Sequence, residues 1–187
     1  MASRTQIVCL CEGKHGRSID PLFINTLIKT LKPAWVRRVG SNWLRLNAYG
    51  SRSELIKRTP EELQRCLSAG SDTTLMVWAD CDDDCYNGDA LKTQFWNEAE
   101  ESGITQSDFE RIVFIFAKDR LENWVQFLNT GRTDEAVEGP RIPHDGDVSE
   151  AAKKLAEFCK AGQSVDNMPP SLGWSCRNWR ALVNRMR

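Results

Sequence analysis

The run Trp78-Ala79-Asp80-Cys81-Asp82-Asp83-Asp84 crowds four carboxylates at the end of an apolar stretch. Carboxylates packed this closely repel one another. A divalent cation such as Mg²⁺ relieves that cost while taking hard oxygen ligands. The Asp-x-Asp-x-Asp array therefore predicts a metal site. The plain alternative is a solvated acidic turn, although such a turn gains nothing from clustering four like charges. Cys81 and Cys85 flank the array at a spacing that could supply half of a zinc site. The other half would need further thiols or imidazoles, and His15 and His144 lie far off in sequence. Small residues filling a strand end are the simpler explanation of the pair.

Positioning the acids requires a strand before them, and Thr74-Leu75-Met76-Val77-Trp78-Ala79 is short, continuous and free of charge, as a buried strand should be. The rest of the chain alternates strand and helix. Gln6–Cys11 reads as a first strand, followed by Glu12-Gly13 and a polar loop. Asp20-Pro21 has the form of an N-cap with proline at the first helical position, and Leu22, Phe23, Leu27, Ile28 and Leu31 give that helix an apolar face. A second strand is expected over residues 35–39. Thr59-Pro60-Glu61-Glu62 has capping-box form and predicts a helix that stops before Gly70. A helix over 89–102, a strand over 111–117 and a helix over 121–128 follow. Residues 130–147 lack periodicity and read as an exposed, partly mobile loop. Amphipathic helices are expected over 149–160 and, with a basic surface, over 174–186.

Composition sets the class. The chain has 187 residues, 41% apolar and 27% charged, with a net charge of −1. That length suits one well-buried domain, 1–187, with a core over about 6–160. No global basic field exists to draw the chain to nucleic acid, so any such binding must use a local patch. The apolar runs are too short for a membrane span. Seven cysteines, an odd number, and a start at Met1-Ala2-Ser3-Arg4-Thr5 that leads directly into a strand fit a reducing cytoplasm.

Alternating elements with near-continuous apolar strands predict a three-layer α/β fold with a mainly parallel central sheet flanked by helices. Sites on such sheets gather outside the carboxyl ends of the strands. Glu12 follows one strand, Asp80 ends another, and Lys118-Asp119-Arg120-Leu121-Glu122 follows a third. Three strand ends thus deliver charge to one edge.

Several metal-site patterns fail here. An EF-hand loop counted from Asp80 would need glycine where Cys85 stands and glutamate where Leu91 stands. A phosphatase of the haloacid-dehalogenase type would not follow its Asp-x-Asp with Asp83-Asp84. Val8-Cys9-Leu10-Cys11-Glu12-Gly13 together with Trp78-Ala79-Asp80-Cys81-Asp82 instead resembles the Toprim domain of topoisomerases, primases and OLD-type (overcoming lysogenization defect) nucleases. The OLD-type members carry a Ser-x-x-Glu motif after the following strand, and Asp119-Arg120-Leu121-Glu122 occupies the matching place, with Asp119 where the family has serine. They also carry a lysine in a later helix, similar to Lys153 or Lys154.

The resemblance implies metal-dependent cleavage of phosphodiester bonds in DNA or RNA, using one or two Mg²⁺ or Mn²⁺ ions. Asp80, Asp82, Asp84 and Glu122 would hold metal. Glu12 would ligate metal or act as general acid or base, and Lys153 or Lys154 would neutralise charge on the phosphate. Plainer roles are a loop carboxylate bonding backbone amides for Glu12, a first-turn acid favouring the helix dipole for Glu122, and a solvated helix face for the lysines. No Gly-x-x-x-x-Gly-Lys-Ser/Thr loop occurs. The family analogy therefore implies a partner ATPase or a homodimer, and a setting such as anti-phage defence or nucleic-acid processing. A non-catalytic Toprim-like module that binds nucleic acid or a protein, and a phosphatase or nucleotidyl-transfer enzyme, are the competing expectations.

A nucleic-acid substrate needs phosphate contacts. Arg37, Arg38, Arg45, Arg52, Lys57 and Arg58 are interleaved with Trp35, Trp43 and Tyr49, with Glu54 as the one acid between Trp35 and Arg58. Basic side chains can hold a backbone while aromatics stack on unpaired bases, although such aromatics also serve as core. Arg177, Arg180, Arg185 and Arg187 make a second basic cluster. His144 is a candidate lid residue or a solvated loop histidine.

Overall fold

A computed structural model describes residues 6–14, 16–31, 43–70, 73–82, 88–142, 144–161 and 167–185. Among them the order is β1 (Gln6–Cys11), α1 (Asp20–Leu31), β2 (Leu44–Ala48), α2 (Arg52–Ala69), β3 (Thr73–Cys81), α3 (Gly88–Glu101), the single turn α4 (Gln106–Phe109), β4 (Val113–Lys118), α5 (Leu121–Thr130), α6 (Asp145–Ala161) and α7 (Pro170–Arg185). The four strands form one sheet in the order β2-β1-β3-β4, and every pairing is parallel. The expected α/β class with a mainly parallel sheet is borne out.

Strand side chains alternate between faces, and the two faces have separate cores. Cys9 and Cys11 of β1, Met76 and Trp78 of β3, and Ile115 and Ala117 of β4 pack against α1, α5 and α6. Val8, Leu10, Val77, Ala79, Phe114 and Phe116 face α2, α3 and α4. Trp78 anchors the first core, meeting Phe23, Trp124 and Trp179 edge-on at 6.2–6.3 Å. The same alternation sends Asp80 to the face that carries the N-terminal ends of α1 and α5.

The strand expected over 35–39 lies outside the described residues. The second strand that is described, β2, came with a usable signal, since Leu44 and Leu46 alternate with Arg45 and Asn47. Helix α2 begins seven residues before the expected Thr59. Its N-cap is Ser51, whose hydroxyl accepts from the Glu54 amide at 3.3 Å, so the operative capping signal is Ser51-Arg52-Ser53-Glu54. Thr59 is buried inside the helix with its hydroxyl on the Leu55 carbonyl, and Pro60 is accommodated in the interior. A local proline signal yields here to an earlier cap and a continuous buried face.

Helix α7 closes the outer edge of β4, where an open strand would expose unpaired backbone groups. The Ser175 hydroxyl bridges the Phe116 amide and carbonyl at 2.9 and 3.0 Å, and the Asn178 amide donates to the Phe114 carbonyl. The loop before α6 is exposed in most positions but tethered. Thr133 and the Val137 carbonyl bond the buried Asn123, and Glu135 accepts from Ser171 at the start of α7. No helix among the described residues is long and apolar enough to cross a membrane.

Candidate functional site

Parallel register brings the acids together. Cys11 of β1 lies beside Trp78 of β3, so Glu12 follows one strand where Asp80 closes its neighbour. The Asp80 amide donates to Glu12 Oε2 at 3.4 Å. The Asp80 side chain is partly buried, and its pKa stands well above the ordinary aspartate value. Burial is the main cause, and the charges of Asp20, Glu12, Glu122 and Asp82 add to it. Five carboxylates from β1, α1, β3 and α5 therefore share one electrostatic field.

Each neighbour has its own balance. Burial raises Glu12, while the amides of Asp80 and Arg52 and the Arg52 guanidinium draw it back, and Asp82 pushes it up. Burial also raises Glu122, which its own amide and Arg120 lower, while Asp20 and Asp119 raise it. Asp20 and Glu122 both sit in the first turn of a helix, where the dipole favours negative charge. That placement offsets part of the cost of gathering acids here. Asp82 is exposed and pairs with Arg52 at 3.1 Å, and Lys118 Nζ donates to the Asp82 carbonyl.

Asp20 was legible only as a helix cap. Burial raises its pKa too, against bonds from Ser18 and its own amide. Gly13 makes room for it: a Cβ there would lie 2.0 Å from Ser18 Oγ and 2.4 Å from Asp20 Oδ2. The glycine of Glu12-Gly13 thus keeps space open for a carboxylate rather than serving only to turn the chain. Asp119 is a second addition. It holds a positive φ of 62°, uncommon for a residue with a side chain, and its buried Oδ2 has no hydrogen-bond partner among the described residues.

Other expected site residues are distributed differently. Asp83, Asp84, Cys85, Arg37 and Arg38 lie outside the described residues. Cys81 is buried in the core facing α2 and α3, as a small residue filling a strand end. Lys153 is exposed. Lys154 reaches Asn129 near the end of α5, seven residues beyond Glu122, or about 10 Å along the helix axis at 1.5 Å per residue. Among the described residues, Lys118, Arg52 and Arg120 bring positive charge to the carboxylates instead. Along the expected basic stripe, Arg45 pairs with Glu62 and Arg58 with Glu54 and Glu61, while Lys57 is exposed. Acids of α2 therefore neutralise much of that stripe.

The donor set is hard oxygen throughout, which suits Mg²⁺ or Mn²⁺ rather than a thiolate-seeking metal. Among the described residues, no three or more His, Cys, Asp or Glu side chains are gathered closely enough to hold an ion unaided. Mg²⁺ does not require such a cage, because it keeps several waters and commonly takes one or two carboxylates with substrate phosphates. The residues present fit an open site of that kind. No protein-family model, no curated protein and no solved structure matches this chain.

Proposed function

We propose that this chain is a Toprim-like, Mg²⁺- or Mn²⁺-dependent nuclease that cleaves phosphodiester bonds in DNA or RNA. The observation that carries the proposal is the shared field of Asp80, Asp20, Glu12, Glu122 and Asp82 at the carboxyl edge of a parallel sheet. Buried like charges are costly unless a cation or bound protons offset them. Asp80 and Asp82 would hold the metal, with Glu122 and Asp20 completing its oxygen surroundings. A bound ion of this kind polarises a phosphodiester and makes water a better nucleophile.

The remaining chemistry falls to the side chains. Glu12, its pKa raised by burial, suits the exchange of a proton with water or with the leaving oxygen. Arg52 and Lys118 flank Asp82 and would offset charge growing on the phosphate, the role first expected of Lys153 or Lys154. A non-catalytic binding module is the second reading. It is favoured by the Arg52–Asp82 pair, which neutralises one proposed ligand without metal.

Plasmid and single-stranded substrates incubated with Mg²⁺ or Mn²⁺ test the choice, comparing wild type with Asp80→Ala and Glu12→Ala. Metal-dependent cleavage lost in both variants is the expected result. Metal-independent binding without cleavage supports the module, and hydrolysis of small phosphomonoesters alone supports a phosphatase.

A further inference from the structure

An open cleft of about 850 Å³ lies beside the carboxylates, with Glu122 in its wall. One side is the loop between β1 and α1, carrying Arg17 and Ser18. Arg141 and Ile142, ahead of α6, line the cleft as well. Arg17 and Arg141 are exposed, and neither forms an ion pair with a carboxylate among the described residues. They differ in this from Arg45, Arg52, Arg58 and Arg120, each of which has an acidic partner. Asp145 in the first turn of α6 also lines the cleft, but it is exposed and solvated. At Gly16, with φ of +72°, an added Cβ would meet nothing within 4 Å, so a ligand can approach the backbone closely there.

A guanidinium offers a planar fork of donors that matches phosphate oxygens. Two such groups lining one cleft with Glu122 of the proposed metal site suit a chain of phosphates better than a single anion. We propose that this cleft is the track of a phosphodiester strand, with Arg17 and Arg141 each holding a phosphate on either side of the bond presented to the carboxylates. The assignment rests on the nuclease reading. It moves the substrate surface away from the stripe over Arg45, Lys57 and Arg58 to two arginines far apart in sequence.

The test is the salt dependence of binding. A short fluorescent oligonucleotide, as DNA and as RNA, is titrated with the full chain in EDTA at several salt concentrations. Each phosphate contact contributes roughly 0.7 to the log–log slope for a single strand. Arg17→Ala and Arg141→Ala should each reduce the slope by about that amount and weaken binding several-fold. Arg17→Lys should keep the slope, and Arg58→Ala should leave it unchanged. Unaltered slopes in both cleft variants overturn the cleft assignment alone, as does a slope lowered only by Arg58→Ala. Absence of binding by the wild type to either oligonucleotide in EDTA overturns the cleft assignment, and absence of cleavage of either one with Mn²⁺ overturns the nuclease reading. Wild-type binding with the expected slope changes, but no cleavage when Mn²⁺ is restored, overturns the nuclease reading and leaves the cleft standing.

Discussion

Asp80 gathers the strongest crowding of charge at the candidate site in one side chain. It is the last polar position of a strand whose other residues are buried, and the charges of Asp20, Glu12, Glu122 and Asp82 all act on it. Its pKa in the folded chain lies above the unfolded value, so between the two values the folded state binds more protons. Stability is then greatest on the acid side and falls as pH rises through that window. Asp80→Asn removes the charge at little change in shape. In EDTA at neutral pH it should raise the midpoint of thermal unfolding by ~2–4 °C, corresponding to about 1 kcal/mol, with a smaller gain or none near pH 4. A midpoint equal to or below wild type at neutral pH would show that the carboxylate is not crowded. Gly13→Ala probes the same cluster from the other side. The new methyl must displace Ser18 and Asp20, both of which are side-chain ends that can yield, so the fold should persist while cleavage falls roughly 10- to 100-fold. Steady-state cleavage rates beside circular dichroism separate the two effects. Asp80, Asp82, Glu12 and Glu122 were legible because each follows an apolar strand. Asp20 was not, because Asp20-Pro21 is fully explained as a helix start, and its approach to Asp80 depends on how α1 docks.

Among the elements, local signals succeeded where one period dominated and failed where two competed. β1, β3 and β4 are apolar runs, and α1 and α5 have clean helical faces, so their positions were readable within a few residues. β2 is a half-exposed strand of five residues at the edge of the sheet as described, and its alternation of Leu44 and Leu46 with Arg45 and Asn47, though usable, is short. The start of α2 was misjudged because Thr59-Pro60 imitates a cap that Ser51 provides earlier. No sequence period announces that α7 would close the β4 edge, since that role uses Ser175 and Asn178 rather than an apolar stripe. Ser175→Ala should therefore cost about 1–3 kcal/mol, because it leaves the buried Phe116 amide and carbonyl without their partner. Hydrogen exchange should show faster exchange at Phe116 in that variant. Protection equal to wild type would mean that α7 does not hold the edge.

At the scale of the molecule, the strand order explains why the site lies where it does. The chain leaves β1 for β2 on one side and returns to β3 on the other, so the connections diverge between β1 and β3. Crevices open at such switch points, beyond the carboxyl ends of the strands. Glu12 and Asp80 occupy those two adjacent ends, and α1 and α5 bring Asp20 and Glu122 to the same place. The cleft with Arg17 and Arg141 opens beside them. Charges of both signs thus meet locally in a chain whose net charge is only −1. Calorimetric titration of Mn²⁺ into wild type and Asp80→Asn near pH 7, in two buffers of different ionisation enthalpy, probes the cluster without relying on turnover. Wild type should bind Mn²⁺ and release protons as its raised carboxylates ionise, and Asp80→Asn should lose that binding. Wild type that binds no Mn²⁺, or Asp80→Asn that binds it equally well, would remove the carboxylate cluster as the metal site.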